Sequence, residues 1–125
     1  MKVWVFGNEL IEEDAMAKKA CKDMKIEGVD LIFCESAEEL LDKDHKEQIV
    51  IVDVVKDIDK VTLFEGIDKL EEHKLISGHD FDLGFQLKLL KAMGELTKIV
   101  IIGVPREGDV VEIKNEIEKT ISSLT

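Results

Sequence analysis

The stretch Gln48-Ile49-Val50-Ile51-Val52-Asp53 decides the fold of this chain. It is a nearly unbroken run of β-branched apolar residues, as expected of a central strand covered on both faces in a mainly parallel sheet. Working outward, Lys2 to Phe6 reads as a first strand ended by the turn dipeptide Gly7-Asn8, and Val29 to Cys34 as a second. Val61-Thr62-Leu63-Phe64 reads as an edge strand and Lys98 to Val104 as the last. Ala15, Met16, Ala20, Cys21 and Met24 recur at helical spacing, with Lys18, Lys19, Lys22 and Asp23 on the other face and Gly28 ending the region. Ser36 and Glu39 have capping-box spacing for a short helix through Leu41. Leu83, Gln86, Leu87, Leu90 and Met93 trace a further helix that Gly94 closes, and Val110 to Leu124 a C-terminal one with Val110, Ile113, Ile117 and Ile121 facing inward. Strands alternating with helices predict an α/β fold, with a twisted, mainly parallel sheet of about five strands sandwiched by helices.

At 125 residues the chain has the length of one domain, spanning residues 1–125. Its 28 acidic residues against 17 basic ones give a formal net charge of -11, so the average surface repels nucleic-acid phosphates and anionic lipid headgroups. Cys21 and Cys34 are the only cysteines and have no CxxC spacing, which predicts buried, reduced thiols in a cytoplasmic protein. The apolar start Met1 to Phe6 is too short for a signal segment, and no apolar run is long enough to span a bilayer. No heptad seam points to oligomerisation, so a monomer is expected.

In an open α/β sheet, ligands gather beyond the carboxyl ends of the strands at a topological switch point. Gly7 follows the first strand and Asp53 ends the central one, so both point to one rim. Asp14 lies with Glu12 and Glu13 where a helix begins, a place that an acid also takes to complement the helix dipole. Three adjacent acids repel one another, and a bound cation would relieve that repulsion. A charge at Asp53 would be costly to bury without compensation. His79, between Gly78 and Asp80 just before a helix, differs from His45 and His73, which sit among charged surface residues. Two carboxylates and an imidazole offered from separate loops suit nickel, zinc or a related divalent ion. A receiver-like phosphoacceptor would also use a strand-end aspartate, but it needs an acidic pair directly after strand one and a lysine beyond the last strand. Gly7-Asn8 and Gly103-Val104-Pro105 stand there instead.

The order of these pieces resembles the hydrogenase maturation endopeptidases. That family opens with a strand and a GNxLxxD[DE] signature, to which Gly7, Asn8, Leu10, Glu13 and Asp14 are similar. A hydrophobic strand ending in aspartate follows, like Ile49 to Asp53, then a [ST]xH segment opening a helix, like Ser77 and His79. Gly94-Glu95, Ile99 to Val104 and Pro105-Arg106-Glu107 resemble the final strand and the turn beyond it. The chain departs from the pattern at Ala15 and Ala17, where the family has glycines, and at Cys34-Glu35-Ser36-Ala37, where it has a glycine-rich segment.

The resemblance implies an endopeptidase that removes the C-terminal extension of a nickel-loaded hydrogenase large-subunit precursor. It implies Asp14, Asp53 and His79 as ligands to nickel that the precursor supplies. Glu12 or Glu13, beside the metal, is a candidate general base, so Glu13 and Asp14 are the expected catalytic acids. The alternative is a non-catalytic module on the same fold that holds a metal or a hydrogenase subunit without cutting it.

Overall fold

The computed structural model describes residues 1–35, 48–65 and 98–124. Within them five strands form one sheet: β1 (Lys2–Val5), β2 (Asp30–Phe33), β3 (Gln48–Val54), β4 (Thr62–Glu65) and β5 (Lys98–Val104). Their order is β2-β1-β3-β5-β4. The first four in that order run parallel, whereas β4 pairs antiparallel with β5, Thr62 lying opposite Gly103. Two helices are described, α1 (Met16–Cys21) and α2 (Val110–Leu124), with a 3-10 turn at Glu12–Asp14 just before α1.

Alternation along the strands sends successive side chains into two separate cores. Val3, Val5, Val50, Val52, Val54, Ile102 and Val104 pack beneath α1 and α2. Trp4, Phe6, Ile49, Ile51, Val55, Ile99 and Ile101 fill the opposite face with Cys34 and Phe64. The two-sided burial of β3 and β5 explains why their sequences carry no polar alternation. Ile117 is fully buried where α2 meets the sheet. Ile117→Ala should therefore lower stability by about 2–5 kcal/mol, read from the urea midpoint; a loss below about 1 kcal/mol would contradict this packing.

Several expectations need correction. The first helix stops at Cys21, well short of Gly28, which instead holds a positive φ of 78° in the turn before β2. Lys18 does not face solvent: it is buried on α1, as a lysine's long aliphatic stem allows. Val110 is 38% exposed rather than inward, because it stands on the first turn of α2, before the helix settles on the sheet at Ile113. Asp53 does not end its strand, which continues through Val54. Val61 to Phe64 is an edge strand as expected, displaced by one residue. The helices expected after Ser36 and around Leu83 to Met93 lie outside the described residues. Among the described residues no helix is long and apolar enough to cross a membrane.

Candidate functional site

β1 lies between β2 and β3, so the chain leaves β1 toward one side and later returns to the other. That is a topological switch point, where connections diverge and leave a crevice beyond the carboxyl ends of β1 and β3. Asp14 and Asp53 are both at this end of the sheet. Asp14 is 1% exposed and Asp53 0%; with Lys18 they are the buried charged residues among those described.

Asp14 is held by a loop that closes on itself through Asn8. The Asn8 backbone N–H donates to Asp14 Oδ2 at 2.9 Å, and Asn8 Oδ1 accepts from the Leu10 N–H at 2.9 Å. The Asn8 carbonyl accepts from the Ile11 N–H at 3.1 Å, and the Ile11 carbonyl from the Asp14 N–H at 2.9 Å. Asparagine suits this place because its short amide can fold back onto the backbone two residues on. Gly7 brings the two ends of the loop into contact. Its φ is 126°, and a Cβ there would stand 2.5 Å from the Asp14 backbone oxygen and 3.7 Å from Asp14 Oδ1. Glycine is thus required twice, for its backbone conformation and for the close approach.

Asp53 is fixed by the sheet itself. The Phe6 N–H donates to the Val52 carbonyl at 2.9 Å, which sets Phe6 alongside Asp53, and Gly103 flanks it on β5. One carboxylate oxygen accepts from the Val54 N–H at 2.8 Å. The remaining oxygens, Asp14 Oδ1 and Asp53 Oδ2, are also shut away from solvent. Gly103 leaves room on this face, since a Cβ there would come within 2.7 Å of Phe64 Cε2 and 2.9 Å of Val55 Cγ2.

The other acids sort by exposure. Glu12 and Glu13 lie on the 3-10 turn next to Asp14 but face solvent, as do Asp57 and Asp59. Only Asp14 of the three consecutive acids turns inward. His79, the expected third ligand, and Ser77 lie outside the described residues. Among the described residues no three acidic, cysteine or histidine side chains cluster to hold a metal. Two buried carboxylates at a switch point nevertheless fit a divalent cation: they supply hard oxygen donors, and a cation would offset the cost of keeping both charges out of water. Cys21 and Cys34 are buried free thiols, as expected. Burial pushes the Cys21 thiol up to about 12, which keeps it protonated and unreactive. The part played by Asn8 was not anticipated from the sequence, although an asparagine next to a glycine and six residues before an aspartate is a recognisable loop signal.

No protein-family model and no curated protein matches this chain. Solved structures do. The hydrogenase maturating endopeptidase HybD from E. coli superposes with a TM-score of 0.70 at 20% identity, over 99% of this chain and 92% of that one. An endopeptidase from Escherichia coli gives 0.66 at 19% identity, over 98% and 91%. The [NiFe] hydrogenase maturation protease HycI from Thermococcus kodakarensis gives 0.56 at 19% identity, over 98% and 88%. At such identities the likeness is one of fold. This chain has the α/β fold of the hydrogenase maturation endopeptidases, with Asp14 and Asp53 buried at its carboxyl rim.

Proposed function

We propose that this protein is an endopeptidase that removes the C-terminal extension of a nickel-loaded hydrogenase large-subunit precursor. The observation that carries the reading is the burial of Asp14 and Asp53 at the switch point of a fold otherwise found in hydrogenase maturation endopeptidases. Nickel seated in the precursor belongs to the substrate. Asp14, Asp53 and His79 grip it, so the metal reports that loading is complete and anchors the scissile segment against the rim. The chain's contribution is rigidity: the Asn8 loop and the β3 backbone hold both carboxylates in place before the precursor arrives, so little ordering remains to be done on binding. In this reading Glu12 or Glu13, the exposed acids next to Asp14, takes a proton from attacking water as general base. The protein acts in the cytoplasm as a monomer.

The test is the mass of the precursor after incubation with the protein. Nickel-loaded precursor should lose its C-terminal extension, nickel-free precursor should not, and His79→Ala should reduce cleavage by about 100-fold or more. Equal cleavage of both precursor forms would remove the recognition role of the metal. Complex formation with an unchanged precursor mass would favour the non-catalytic module instead.

A further inference from the structure

Large apolar side chains scattered singly on a surface need no explanation, but these are not scattered. Among the described residues six are exposed: Met1, Leu10, Ile11, Phe33, Val110 and Val111. Met1 precedes β1 at the amino end of the sheet. The other five all lie at the opposite end, the one that carries Asp14 and Asp53. Phe33 closes β2, Leu10 and Ile11 follow β1, and Val110 and Val111 open α2 after β5. Because these three strands are parallel, their carboxyl ends share one rim.

Leu10 is 94% exposed, yet its own N–H is tied to Asn8 Oδ1 and its loop is closed by the hydrogen bonds that hold Asp14. An apolar side chain presented on a fixed backbone loses little freedom on binding, which is the character of an interface anchor. The charge exposed beside four of these residues is mostly acidic. Segments 8–14 and 105–112, which carry four of the five, expose Glu9, Glu12, Glu13, Glu107, Asp109 and Glu112 against the single cation Arg106.

We infer that the carboxyl-end rim is the docking surface for a folded protein partner whose contact face is apolar and bordered by lysine and arginine. Resting on the proposed function, this makes the partner the hydrogenase precursor, held by its folded surface as well as by its nickel. An apolar centre with a charged border is the ordinary anatomy of a protein interface. A second copy of this chain would set acidic border against acidic border, and an anionic lipid surface would be repelled in the same way.

The test measures cleavage and binding of nickel-loaded precursor by the full chain, the double variant V110S/V111S and the charge-reversed variant E107K/E112K. Thermal melting serves as the check that all three are folded. V110S/V111S should raise KM about tenfold with kcat within about twofold of the unsubstituted chain. E107K/E112K should raise KM at low salt, and the difference should close as salt screens the border. An unchanged KM for V110S/V111S, while the unsubstituted chain cuts normally, overturns the docking surface and leaves the endopeptidase reading standing. An unsubstituted chain that neither binds nor cuts the precursor overturns both. A dimer in sedimentation that V110S/V111S disperses gives the surface to a second copy, and overturns the inference as well.

Discussion

Replacing Asp53 by asparagine should cut nickel-dependent cleavage by about 100-fold or more while leaving the protein about as stable as before. The two effects have different origins, and their combination is the diagnostic. Asparagine keeps the shape of the side chain and an oxygen able to accept from the Val54 N–H, so the local hydrogen bond at 2.8 Å survives. What disappears is the charge at a position with 0% exposure. The burial penalty of the carboxylate goes with it, so the variant should stay within about 1 kcal/mol of the unsubstituted chain. Under the proposed function nickel recognition uses the anionic donor, so activity should fall by about 100-fold or more. Asp14→Asn should behave alike, since its oxygen can still accept from the Asn8 N–H. A stability loss of more than about 2 kcal/mol with activity retained would make these carboxylates structural acceptors and remove them from the site.

Gly7→Ala should be strongly damaging for so small a substitution. The new methyl would stand 2.5 Å from the Asp14 backbone oxygen, a contact that only a backbone shift can relieve. It would also force an L-residue to hold a φ of 126°. Strain of the second kind alone costs about 1–3 kcal/mol, so a total on the order of 3 kcal/mol is expected in urea unfolding, with the slope unchanged. The shift falls on the loop that aims Asp14, so precursor cleavage should drop even in the fraction that folds. A loss under about 0.5 kcal/mol would mean that the loop does not close on Gly7 as described.

The uneven legibility of the sequence has physical causes. β1, β3 and β5 were evident because buried parallel strands are apolar on both faces, and nothing local competes with that signal. The strand order, and the reversal of β4 against β5, rest on pairings distant along the chain that no local pattern encodes. The charge of Lys18 implies solvent, yet the residue is buried, since a lysine's long aliphatic stem can lie along apolar surface. Val110 misled because helical spacing predicts which way a side chain points, not whether the sheet extends far enough to cover it. At the site, Asp14 could be chosen from three consecutive acids only through the family signature. The structure separates the three by burial alone: the 3-10 turn rotates Asp14 inward to the Asn8 N–H and leaves Glu12 and Glu13 in water. No local pattern marks the apolar residues of the rim, because Leu10, Phe33 and Val111 lie far apart in sequence and come to one end of the sheet only once the strands are aligned in parallel.

The proposed function requires that Asp14, Asp53 and His79 bind one metal. A crystal of the protein soaked in nickel or cadmium, examined by anomalous difference density, tests that most directly. A single peak coordinated by these three side chains at the carboxyl rim is the predicted result. Three residues lying apart, with no peak among them, would contradict it and reduce the likeness to the maturation endopeptidases to one of fold.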